Sequence, residues 1–102
     1  MHALVLLAIG PAGVSDELQH DHERFIGVLE DANKVVLGGG LEPAVGPYDG
    51  AYVLSCASLD EACDIAASDP LVRGGGVRRD VVEWQLVGVN PDAVDRGSLL
   101  YP

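Results

Sequence analysis

The 102-residue sequence predicts an α+β fold with the element order β-α-β-β-α-β. Three observations carry this. Residues 2–9, HALVLLAI, are apolar without alternation, as in a strand covered on both faces. Leu18, His22, Phe25 and Leu29 recur at helical spacing, and Leu59, Ala62, Cys63, Ala66 and Ala67 do so again. Short apolar segments at 35–37, 51–57 and 77–89 surround these two helices. This is the order of a ferredoxin-like sandwich, a four-stranded antiparallel sheet with both helices on one face and its first and third strands central.

Each element has its own signals. Gly10, Pro11 and Gly13 end the first strand. Ser15 is a candidate N-cap, with Asp16 and Glu17 in the first turn, where the helix dipole favours acids. That helix runs to about Ala32, and Asn33 suits a left-handed residue after it. Val35-Val36-Leu37 begins the second strand and leads into Gly38-Gly39-Gly40, while EPAVGPYDG at 42–50 predicts a loop. AYVLSCA at 51–57 is the third strand, and Ser58-Leu59-Asp60-Glu61 matches a capping box. Pro70 stops the second helix at Asp69, and Gly74-Gly75-Gly76 predicts a hinge or turn. The last strand starts at Val77 and alternates through Val82, Trp84 and Leu86 to about Val89. Trp84 and Phe25 are expected in the core. Residues 1–89 make one domain, and 90–102 a tail, beginning with a short turn of helix at Asn90-Pro91, whose Leu99, Leu100 and Tyr101 are frayed or docked on a neighbour.

Composition narrows the function classes. A net charge of −10 with only six Lys and Arg gives no phosphate-tracking surface, so nucleic acid is not an expected partner. No apolar stretch approaches the roughly 20 residues that span a bilayer, and the N-terminus lacks the basic start of a signal peptide. A cytoplasmic protein without membrane partner is expected. Cys56 and Cys63 have neither redox nor zinc spacing and are expected to be small buried hydrophobes. The helices cover only one face of the apolar first strand. A second copy's sheet is the simplest cover for the other, which predicts a sheet-to-sheet homodimer.

The chemistry centres on His22. A histidine in an apolar helical stripe is either satisfied in the core or lines a pocket, where imidazole acts as acid or base near neutral pH. Asp69 is the candidate partner. A carboxylate at a helix C-terminus meets the negative end of the dipole, so full exposure or a cationic partner is expected. Side-by-side helices can bring the start of the first near the end of the second. His20 and His22 point about 200° apart on a helix and cannot share an ion, so no metal site is expected. No cofactor motif is present. Gly38-Gly39-Gly40 precedes no helix and is not a phosphate-binding turn; it is a bulge in an edge strand or an opening in a pocket wall. Ser55 and Cys56 lack a nucleophile elbow. A catalytic pair, a ligand-orienting pair in a binding module, and a structural pair all remain open.

The run H-x2-F-I-x2-L…N-x-V-x-L-G-G-G, from His22 to Gly40, and E-A-C-x-I-A-A-S-D-P with the following Leu71, Gly74 and Val77, resemble the YCII-related proteins. The resemblance covers residues 1–89. Asn33 stands for the usual glycine, Gly40-Leu41 for Gly-Pro, and Leu71 for an aromatic. The resemblance implies a ferredoxin-like subunit paired into a dimeric α/β barrel, with an active site at His22 and Asp69. Gly39, Gly40 and Leu71 are the candidate pocket-lining positions. It gives a site more firmly than a substrate. The reading it favours is cofactor-independent acid/base chemistry (elimination, isomerisation or hydrolysis) on a small cyclic or aromatic molecule. The alternative is a non-catalytic small-molecule-binding or regulatory dimer.

Overall fold

The apolar N-terminal run forms β1, His2–Ala8, an inner strand of a four-stranded antiparallel sheet. The structure, a computed structural model, describes residues 1–94; Leu99, Leu100 and Tyr101 lie outside them. Along the chain follow α1 (Asp16–Asp31), β2 (Val35–Val45), β3 (Tyr48–Ser55), α2 (Leu59–Ser68), α3 (Pro70–Gly75), β4 (Arg78–Glu83) and a 3-10 turn, Pro91–Ala93. The sheet order is β2-β3-β1-β4, so the first and third strands are central, as in the ferredoxin-like fold.

The register assigns the two faces of the sheet. Ala3, Val5 and Leu7 stand opposite Leu54, Tyr52 and Gly50. These residues, apart from Gly50, pack with Ile26 and Leu29 of α1 and Ala62 and Ala66 of α2 in one core. Small side chains let α2 approach its sheet closely. The opposite face carries Leu4, Leu6, Val53, Leu37 and Val82 in neighbouring register. Leu4 and Leu6 there are only half-buried and Leu37 and Val82 are exposed. Val53 between them is buried, so among the described residues β1 is fully covered on its helix-facing side only.

Local chemistry fixes the element ends. Ser15 Oγ accepts from Leu18 N–H at 3.2 Å and Ser58 Oγ from Glu61 N–H at 3.1 Å. The Glu61 carboxylate accepts from Ala57 N–H at 3.4 Å and from Lys34 Nζ at 2.9 Å, which ties the end of α1 to α2. Asn33 takes the left-handed conformation, φ 56°.

Several expectations are corrected. The segment 42–50 is not a loop: β2 runs through it to Val45, and β3 starts at Tyr48 beyond a turn at Gly46, φ 59°. Cross-strand pairing overrides its turn propensity. Gly74 and Gly75 lie inside α3, and only Gly76 turns the chain, φ 67°. The last strand stops at Glu83, because Glu83 pairs with Ala3 and β1 offers little beyond; Trp84 N–H makes a final bond to His2 C=O at 2.9 Å. Trp84 is 45% exposed rather than in the core, and Phe25 is partly buried. Cys56 is buried, whereas Cys63 is exposed on the outer side of α2.

Candidate functional site

His22 and Asp69 meet. His22 lies in the second turn of α1, on the side facing the sheet, and is 5% exposed. Its Nδ1 is 2.9 Å from both carboxylate oxygens of Asp69, which is fully buried.

The position of Asp69 is not the unfavourable one expected from sequence. It follows α2, but it is also the N-cap of α3, with Pro70 in the first turn. Its Oδ1 accepts from Leu71 N–H at 3.0 Å and its Oδ2 from the Tyr52 hydroxyl at 3.3 Å. The carboxylate therefore meets the positive end of a helix. Pro70 does more than stop one helix; its fixed φ starts the next. Leu71 N–H and the Tyr52 hydroxyl donate to Asp69, and a carboxylate only accepts, so the bond from the ring assigns the His22 proton to Nδ1. In the neutral ring the lone pair is then on Nε2.

Tyr52 carries no signal of its own in the sequence, because 51–57 reads as a strand with nothing to mark one side chain in it. It is 3% exposed, and its ring centroid lies 6.4 Å from that of His22. Burial first, then the negative charge of Asp69, pushes the phenol far above its ordinary range. Tyr52 is thus a fixed hydrogen-bond donor at any physiological pH.

His22 also forms part of the wall of a cavity of about 270 Å³ between α1 and the β2–β3 ladder. Leu7, Ile26 and Leu71 make its apolar side, and Gly38, Gly39 and Gly40 form a wall of bare backbone. All three candidate lining positions, Gly39, Gly40 and Leu71, are on this cavity. Gln19 and Asp49, neither singled out from sequence, add polar groups to the lining. Asp49 accepts from Ile9 N–H at 2.8 Å and Gly10 N–H at 3.0 Å, which closes the end of β1 onto the hairpin. The turn-rich composition of 42–50 conceals it in the sequence. Among the described residues, no group of three or more His, Cys, Asp or Glu side chains could hold a metal ion.

Comparisons with known proteins agree with this architecture. The YCII-related domain family matches residues 1–85. The uncharacterised protein YjpA of Bacillus subtilis (strain 168) is 30% identical over 86 residues, covering 84% of this chain and 98% of that protein. A solved structure of 5-chloro-2-hydroxyhydroquinone dehydrochlorinase (TftG) from Burkholderia phenoliruptrix AC1100, in complex with 2,5-dihydroxybenzoquinone, has the same fold. Its TM-score is 0.58 at 21% identity, over 83% of this chain and 94% of that one.

Proposed function

The chain belongs to the YCII-related family, and from that premise we propose that it is an enzyme whose His22 moves protons on a small cyclic or aromatic molecule. The observation that carries this is one side chain in two roles: His22 is bonded to a buried carboxylate and forms the wall of a cavity. Nε2 takes a proton from a C–H or O–H of the bound ring. Asp69 stabilises the imidazolium so formed and keeps the ring in one orientation. The proton then returns to a different carbon in an isomerisation, or accompanies the leaving group in an elimination; in a hydrolysis Nε2 activates water. None of these steps needs a cofactor. The chemistry named for the TftG fold neighbour, loss of HCl from a hydroxylated ring, is of the same kind and supports the substrate class.

The test is conversion of a panel of halogenated and hydroxylated one-ring compounds by wild type and His22→Ala, followed by mass spectrometry. Wild type is expected to convert at least one, and His22→Ala to be slower by about 10²–10⁴. Ligands bound but recovered unchanged would instead favour a binding module.

The proposal includes a homodimer formed through the sheet face opposite α1 and α2. Its support is the run of apolar side chains there, from Leu37 through Val53 and Leu4 to Val82. The setting proposed is the cytoplasm, where Cys56 and Cys63 remain thiols. No described helix is long and apolar enough to cross a membrane.

A further inference from the structure

Three glycines lie on the helix-facing side of the β2–β3 ladder. Gly38 pairs with Tyr52, and Gly40 pairs with Gly50, which in turn stands opposite Leu7 of β1. Across three strands one row therefore reads Leu7, Gly50, Gly40, with side-chain atoms at one position only. The cavity beside His22 lies over this row.

The glycines have different reasons to be there. A Cβ on Gly38 would come within 2.9 Å of Tyr52 Cβ, so packing excludes any side chain. Among the described residues, a Cβ on Gly40 would meet nothing closer than Asp49 C=O at 3.8 Å, and one on Gly50 nothing closer than Leu7 Cβ at 3.7 Å. Both are ordinary contacts. Neither residue has a positive φ. Neither packing nor backbone conformation thus requires glycine at 40 or 50, and a strand disfavours it. What glycine preserves at both positions, among the described residues, is empty space.

We infer that Gly40 and Gly50 are the size-determining positions of the His22 cavity, holding open a slot for a single, flat, substituted ring. The inference deepens the proposed function and rests on its reading of the cavity as the ligand site. The volume sets the limit. A closed apolar cavity of roughly 150 Å³ accepts benzene, and drug-sized ligands occupy roughly 300–1,000 Å³. At about 270 Å³ the cavity suits one ring with its hydroxyl or halogen substituents. Side chains at 40 or 50 would project over the slot from the sheet, opposite the α1 residues His22 and Ile26. Gly50 is buried and Gly40 exposed, so Gly50 sets the floor and Gly40 the mouth.

The experiment is binding of 1,4-benzenediol to wild type, Gly40→Ala, Gly40→Val and Gly50→Ala, monitored by NMR shifts. The melting temperature of each variant is measured alongside. Wild type is expected to bind. Gly40→Val should keep its melting temperature and lose affinity by about tenfold or more, and the two alanine variants should fall between. Binding by folded Gly40→Val and Gly50→Ala as tight as wild type would overturn the inference, as would failure of wild type to bind the ring. A wild type that binds the ring yet converts no compound of this class contradicts the acid/base reading alone and leaves the size-determining role standing.

Discussion

At the scale of the residue, Asp69 holds the site together. It is fully buried and receives hydrogen bonds from the His22 ring, the Tyr52 hydroxyl and Leu71 N–H. Asp69→Ala strands three buried donors, each worth roughly 1–3 kcal/mol when unmet. A loss of about 3 kcal/mol or more is expected in denaturant unfolding. Asp69→Asn keeps the shape but turns an amide donor toward one of these donors, so activity should fall by about 10²–10⁴ with a smaller loss of stability. Tyr52 supplies a pH signature. Its folded-state pKa lies above the unfolded value of 10.0. Its contribution to stability is therefore complete below pH about 10 and is lost as the unfolded phenol ionises at higher pH. Between pH about 9 and about 11, wild type should lose more melting temperature than Tyr52→Phe. An equal decline in the two proteins would remove Tyr52 as the cause.

At the scale of the element, the junction of α2 and α3 explains what the sequence did and did not disclose. Asp69-Pro70 is legible as a helix stop and His22 as its candidate partner, whereas the packing of α3 against α1 that brings them together is not. The N-cap role was not legible, because α3 ends in Gly74 and Gly75, which have low helix propensity. Its six residues form because Asp69 and Pro70 start it and Leu71 is buried. The β2–β3 hairpin was obscured for a related reason. Gly, Pro and Asp in 42–50 signal turns, yet the chain pairs across the ladder and brings Asp49 and Gly50 to the cavity. The spacing of Gly38 and Gly40 was visible; that both face α1 follows only from the bulge after Val35. Gly38→Ala should cost about 1–3 kcal/mol, since its methyl overpacks Tyr52. Ser58→Ala should cost about 1 kcal/mol through the lost cap. Both are read from the denaturant midpoint.

At the scale of the whole molecule, the sheet has one finished face and one apolar face. The unbroken apolarity of 2–9 disclosed this, but it could not say that β4 would end at Glu83 and leave Trp84 45% exposed. If a second copy covers that face, Val82→Glu places an unpaired charge in the interface while remaining compatible with a folded subunit, since Val82 is 47% exposed. Sedimentation at micromolar concentration should give a dimer for wild type and a monomer for Val82→Glu. A monomeric wild type would contradict the pairing.

The most direct test of the central claim, that Asp69 fixes His22 so that Nε2 serves the cavity, is the ¹⁵N spectrum of the His22 imidazole with and without 1,4-benzenediol. The account predicts a ring whose Nδ1 carries the proton bonded to Asp69, with an Nε2 resonance that moves when the ring compound enters. A neutral ring protonated at Nε2, or an Nε2 resonance that stays fixed while the compound binds, would contradict it.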